Sequence, residues 1–182
     1  GKSLALVLSS SPGNPDVYIM DLASHKLRRV TTSDAIDTEP VWSPDGRSLY
    51  FTSDRGGSAQ IYKVSLSGGE PQRITFDGNY NARPRISPDG HTLAMVHREN
   101  GHLHIASMDL NTGVLQNLTD GDLDKSPSFA PNGAMIIYEA NYRGQGVLAE
   151  VSIDGQVRER LSENRSTVDV HAPVWGPFPP GG

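Results

Sequence analysis

One motif returns along the chain at nearly constant spacing, and that periodicity restricts the possible folds more than any other feature. Trp42-Ser43-Pro44-Asp45-Gly46 recurs as Ile86-Ser87-Pro88-Asp89-Gly90. It returns more loosely as Phe129-Ala130-Pro131-Asn132-Gly133, and last as Trp175-Gly176-Pro177-Phe178. The first residues of these copies lie 44, 43 and 46 positions apart. Val30-Thr31, Ile74-Thr75, Leu118-Thr119 and Leu161-Ser162 keep the same beat, and Pro40, Pro84, Pro127 and Pro173 each stand two residues ahead of the motif. Three markers in one register define a structural unit of about 44 residues.

Each unit reads as four short strands. In the second, strand a is Pro40–Ser43, closed by a Pro-Asp-Gly turn whose Pro presets φ and whose Gly accepts the awkward conformation. Strand b is Ser48–Thr52, strand c is Gln60–Leu66, and a Gly68-Gly69 turn leads to strand d, Gln72–Thr75. Asp21, Asp109 and Asp154 fall near the c–d turns of the other units; His25 stands where others carry Gly, which predicts a different turn there. Four-stranded units with one turn motif each are the signature of β-propeller blades. Helical solenoids and immunoglobulin-like sandwiches lack this pattern. The expected fold is therefore all-β, a propeller of four-stranded antiparallel blades with four blade repeats. Residues 1–178 read as blades in the strand order bcd-abcd-abcd-abcd-a, with 179–182 as a C-terminal tail. Three arrangements fit this phase: an arc of a larger propeller, an unusual closure in which the last strand a completes the opening blade, or two copies combined. Unpaired strands at the break would invite an edge-paired dimer.

Composition narrows the function. The 182 residues carry 19 Gly and 13 Pro, which disfavours long helices, and a net charge of −5, which argues against nucleic acid as a partner. No apolar run has the length of a membrane span. The absence of cysteine removes disulfides, thiolate zinc sites and Cys nucleophiles. The start at Gly1, without Met, reads as a mature or excised piece, which leaves export open.

Several stretches are more specific than the blade turn: Asp16-Val17-Tyr18-Ile19-Met20-Asp21-Leu22-Ala23-Ser24, Thr38-Glu39-Pro40, Tyr62-Lys63-Val64, Pro71-Gln72-Arg73-Ile74-Thr75, His104-Ile105-Ala106 and Pro177-Phe178. Through them residues 1–178 resemble the C-terminal propeller of the TolB family, periplasmic proteins of the Tol–Pal cell-envelope system. The resemblance implies a six-bladed propeller preceded by a small α/β domain, of which this sequence holds neither the α/β domain nor about two blades. The family's TolA-engaging N-terminal segment has no counterpart, which leaves a TolA contact doubtful. The resemblance further implies periplasmic localisation, docking of the Pal lipoprotein at one mouth of the channel, use of that region by colicins, and roles in outer-membrane integrity and cell division.

Recognition surfaces of propellers are built from d–a and b–c loops. The d–a loops here contain Asp37-Thr38-Glu39, Asn81-Ala82-Arg83, Asp124-Lys125-Ser126 and Val170-His171-Ala172; the b–c loops add Arg55, Arg98, Tyr142 and Arg143. Glu39, Arg83, Ser126 and Ala172 precede proline, which predicts an extended backbone projecting each from the rim in a fixed direction. The candidate protein-binding rim is thus Thr38, Glu39, Arg55, Arg83, Arg98, Asp124, Lys125, Tyr142, Arg143 and His171, a charge mixture suited to protein recognition.

No cofactor is expected, but two constellations resemble cation sites. Asn100-Gly101 predicts a two-residue hairpin; that register sets Glu99 opposite His102 and His97 opposite His104 on one face, a donor set suited to zinc. Asp120-Gly121-Asp122-Leu123-Asp124 imitates the start of a calcium loop, but Lys125 and Pro131 stand where an EF-hand needs Gly and Glu. Aspartates of the d–a loops leave a channel cation such as calcium open. Catalysis finds no support: no Gly-x-Ser-x-Gly, no His-Glu-x-x-His, and Gly1-Lys2-Ser3 enters a strand rather than a phosphate loop. The triplets Asn117-Leu118-Thr119 and Asn164-Arg165-Ser166 fit a glycosylation pattern that carries no meaning in a bacterial protein. Trp42 and Trp175 read as inter-blade packing. The function expected is non-enzymatic protein binding. Its rivals are the gating propeller of a prolyl-oligopeptidase-like serine peptidase and a small-molecule-binding propeller.

Overall fold

The computed structural model describes residues 1–9, 15–161 and 169–176. Ser162, the triplet at 164–166, Pro177-Phe178 and the tail 179–182 lie outside the described residues. Among those described there are fifteen strands and no helix. The backbone divides into two compact units, Gly1–Pro84 and Arg85–Gly182.

In the first unit, β1 (Ser3–Ser9), β2 (Pro15–Asp21) and β3 (Leu27–Arg29) form a three-stranded sheet in that order; β4 (Asp37–Trp42), β5 (Ser48–Ser53), β6 (Gln60–Ser65) and β7 (Gln72–Arg73) form a four-stranded one. Strand β8 (Asn81–Ile86) begins at the end of this unit and joins the sheet of β9 (Thr92–Glu99), β10 (His102–Asp109) and β11 (Leu115–Asn117). The last sheet, β12 (Lys125–Phe129), β13 (Met135–Tyr142), β14 (Gln145–Ser152) and β15 (Arg158–Arg160), lies within the second unit. Every pairing with a recorded register is antiparallel, and strands adjacent in the chain are adjacent in each sheet, the order of a propeller blade.

Local chemistry explains the strand ends. In the a–b turn the Ser43 hydroxyl donates to the Asp45 carboxylate (2.5 Å) and accepts from the Ser48 N–H (3.0 Å), while Arg47 N–H donates to Asp45 (3.0 Å). Ser87, Asp89, His91 and Thr92 repeat these bonds. Both aspartates are held below the ordinary carboxylate range, first by the serine hydroxyl and then by the backbone N–H. The turn glycines take the expected left-handed conformation, φ 68° at Gly46, 80° at Gly90 and 74° at Gly133.

The first c–d turn departs from expectation. His25 does not change its geometry: its φ is 56°, against 75° at Gly113, and both turns close with the same bonds. His25 N–H donates to the Asp21 carbonyl as Gly113 N–H does to Asp109, each at 2.8 Å. The aspartate carboxylate caps the N–H groups of Ser24 and Thr112, also at 2.8 Å in both. The aspartate organises this turn, and histidine tolerates the left-handed region better than most residues.

The closing strand a expected at Pro173–Pro177 is absent among the described residues, where 173–176 form no ladder. A strand a pairs with a strand b of its own blade, and among the described residues no strand pairs with 173–176. Instead Val170 N–H donates to the Gly146 carbonyl (2.9 Å) and Trp175 N–H to the Ser128 hydroxyl (3.1 Å). Val174 is 73% exposed and Trp175 36%. Trp42, by contrast, packs partly buried against the cluster of Val17, Ile19, Leu49, Phe51, Tyr62 and Val64, which joins the two sheets of the first unit. All six residues of β5 are buried, as in a strand covered on both faces.

Candidate functional site

The d–a loops are anchored before they reach solvent. In three blades a threonine of the repeat marker ties strand d back to strand c: the hydroxyls of Thr31, Thr75 and Thr119 accept the N–H of Val17 (3.0 Å), Ile61 (2.9 Å) and Ile105 (2.9 Å). The Thr75 hydroxyl then donates to Gln60 Oε1 (2.7 Å), which also receives Asn81 Nδ2 (2.9 Å). Asn81 heads its d–a loop and is fully buried, as are its repeat equivalents Asp37 and, at 2% exposure, Asp124. Loop closure repeats too: the N–H groups of Asn81, Asp124 and Val170 donate to the carbonyls of Ala59, Leu103 and Gly146.

These anchors relocate two expected rim residues. Asp124 is no surface group: it accepts from the Thr119 hydroxyl and the Gly121 N–H, and burial pushes its carboxyl above the ordinary value. A Cβ on Gly121 would come within 2.6 Å of both Asp124 carboxylate oxygens, so glycine makes room for this anchor. Arg55 is held inside its blade, its Nη2 donating to both Asp37 carboxylate oxygens (3.0 and 2.8 Å), with Nε on Ser53 (2.9 Å) and its guanidinium over the rings of Phe51 and Tyr62.

The residues before proline are not extended. Glu39, Arg83, Ser126 and Ala172 have φ of 57°, 56°, 58° and 44°. In β4 the register slips one residue between Thr38 and Val41, and in β12 between Lys125 and Ser128, so each strand carries a β-bulge. Proline disfavours only the right-handed region for its predecessor, and the bulge selects the left-handed one. Each such residue costs on the order of 1 kcal/mol. Carboxylates take up the displaced N–H groups. Glu39 Oε2 receives the Arg83 N–H (2.9 Å) and the Thr52 hydroxyl (2.8 Å), and its other oxygen pairs with Arg83 Nε (3.2 Å). Glu139 receives Lys125 Nζ (3.0 Å), His171 Nδ1 (3.2 Å) and the Ala172 N–H (3.2 Å). Burial raises the Glu139 carboxyl, but Lys125, the Ala172 N–H and His171 outweigh it and leave the group below its ordinary value.

Glu139 is the loop-anchoring residue that sequence reasoning missed. Its signal is a lone carboxylate in Ile136-Ile137-Tyr138-Glu139-Ala140, at the position where Thr52 and Val96 stand in other blades. With Lys125, Asn141, Gly146, Asp169 and His171 it lines a cavity of about 200 Å³. Burial pushes the neighbouring Tyr138 hydroxyl up to about 12, helped by the Asp124 charge.

Two of the b–c loops are tight hairpins. Arg143-Gly144 closes one with φ of 54° and 83°, and Asn100-Gly101 the other with 51° and 88°, the mirror-image turn that suits strand twist. Tyr142 carries the guanidinium groups of Arg143 and Arg160 over its ring, and Arg98 is exposed. Glu99 pairs with His102 and His97 with His104, the register expected. The four do not form a metal centre, and no three His, Asp or Glu side chains converge among the described residues. Glu99 accepts from Asn117 (2.7 Å), and His102 pairs with Asp122 (3.0 Å). The aspartates of 120–124 also diverge: Asp120 meets Arg158 (2.7 Å), Asp122 meets His102, and Asp124 is buried.

Residues 1–179 match the family model described as the TolB beta propeller domain. The chain belongs to the TolB β-propeller family. It is 55% identical over 163 residues to the Tol-Pal system protein TolB of Bordetella pertussis, a match covering 89% of this chain and 37% of that protein. The crystal structure of TolB from Acinetobacter baumannii superposes with a TM-score of 0.89 at 43% identity, over 97% of this chain and 44% of that one. A puromycin-hydrolyzing peptidase of Mycobacterium tuberculosis shares the fold alone, at 23% identity and a TM-score of 0.70 over 87% of this chain and 26% of its own. The chain thus spans less than half the length of these two TolB proteins.

Proposed function

We propose that the chain is a non-enzymatic interaction propeller of the Tol–Pal system in the periplasm. Its proline-led loops receive the Pal lipoprotein at the channel mouth, a contact that supports outer-membrane integrity and cell division and that colicins exploit. The observation that carries the reading is the construction of the loops. Buried anchors at Asp37, Asn81 and Asp124 and the left-handed residues before proline hold Thr38, Glu39, Arg83 and Lys125 before any partner arrives. Loops ordered in advance lose little entropy on binding, and paired charges such as Glu39–Arg83 offer charge-assisted hydrogen bonds to a partner. Affinity for the isolated Pal domain, measured by calorimetry, is expected to fall at least tenfold in the variant Thr38→Ile with Glu39→Ala, its thermal melt confirming a folded chain. Unchanged affinity rejects the assignment of these loops.

A further inference from the structure

The outer strand of the first sheet stands apart from its equivalents in charge and in exposure. Residues 22–29, Leu22-Ala23-Ser24-His25-Lys26-Leu27-Arg28-Arg29, are all exposed and include no acidic residue, in a chain whose net charge is −5. Lys2 adds to the patch, its carbonyl accepting the Leu22 N–H (2.9 Å). The nearby acids are occupied: Asp21 caps Ala23 and Ser24, and Asp16 pairs with Arg29 (2.5 Å). With Asp16 cancelling Arg29 and the Asp21 charge counted, Lys2, Lys26 and Arg28 leave a local surplus of about two positive charges. Among the described residues no other outer strand matches it. Strand β7 has two residues, β11 is Leu115-Gln116-Asn117, and β15 alternates Arg158, Glu159 and Arg160, with Arg158 on Asp120 and Arg160 over Tyr142.

Strand β3 is also the end of its sheet. The Lys26 carbonyl accepts from Asp21, and Val30 N–H donates to the Val17 carbonyl, so residues 26, 28 and 30 turn their backbone groups toward β2. By alternation the N–H and C=O of Leu27 and Arg29 face outward. Side chains alternate as well: Lys26 and Arg28 share one face of the sheet, Leu27 and Arg29 the other.

We infer that β3 is a docking edge for an extended acidic segment of a partner protein, added to the sheet as a further strand. The segment's backbone pairs with Leu27 and Arg29. Carboxylates at every second position meet Lys26 and Arg28, and an apolar side chain between them covers Leu27, which is 52% exposed. An anionic lipid surface fits less well, since it has no use for an outward backbone edge and cannot meet Leu27 and Arg28 together when they project to opposite faces.

The probe is a fluorescein-labelled peptide of four Glu-Val repeats, followed by anisotropy at low salt. Wild type is expected to bind it at least tenfold more tightly than the block peptide of four Glu followed by four Val. Lys26→Glu with Arg28→Glu is expected to weaken binding at least tenfold. Leu27→Pro, which deletes one outward N–H at an edge position where proline is tolerated, is expected to weaken it similarly with an unchanged melt. Thr38→Ile with Glu39→Ala is expected to bind the peptide as wild type does, which keeps this test separate from that of the proline-led loops. Equal affinity for the two peptides, full binding by the charge-reversed variant or by a folded Leu27→Pro, or binding to phosphatidylglycerol vesicles that the peptide does not displace, overturns the proposal.

Discussion

Glu139 shows how one side chain can bind a loop to a blade. Its carboxylate gathers an ammonium, an imidazole and a backbone N–H from residues 14 to 33 positions away in the chain. Because its folded pKa is lowered, its stabilisation is complete above the unfolded value near 4.3 and is lost as pH falls through the folded value. Glu139→Gln is expected to lower stability by about 1–2 kcal/mol at pH 7. Urea midpoints of the two chains should draw together as pH falls below the unfolded carboxylate value; a constant gap across that range contradicts the role given to the charge. Sequence proximity could not reveal this residue, since its partners meet it only after three strands have paired. The pre-proline residues were half legible. Their positions follow from Pro40, Pro84, Pro127 and Pro173, but their left-handed backbone follows from the bulge, which depends on ladder register. Arg55 and Asp124 look like rim charges for a related reason: their partners Asp37 and Thr119 are reached only through folded loops.

At the scale of the element, turn chemistry made most of the strands readable. Ser-Pro-Asp-Gly and Asn-Gly mark turns through bonds that form within a few residues, and those bonds are present. The repeat marker ending in threonine was visible as a pattern while its cause was not: the hydroxyl accepts an N–H 14 residues earlier in the chain. Thr75→Val keeps the shape but strands the buried Ile61 N–H and removes a donor from Gln60. It is expected to cost about 1–3 kcal/mol in denaturant unfolding, whereas a change below about 0.5 kcal/mol contradicts the tie. The first c–d turn misled because glycine was taken as the controlling residue, when the Asp21 carboxylate and carbonyl set the loop.

At the scale of the whole molecule, the period of about 44 residues carried the fold class, because each repeat is one blade, while stretches such as residues 16–24 and 71–75 carried the family. Charge separates two surfaces of different use. The proline-led loops hold acids and bases paired with one another, as at Glu39–Arg83 and Lys125–Glu139, and β3 holds cations without nearby free acids. Hydrogen exchange of the chain with and without the Pal domain tests the central claim most directly. Protection is expected at 37–40, 81–84 and 124–127, with little change in β3 or β7. Protection confined to those outer strands, with the proline-led loops exchanging as before, contradicts it.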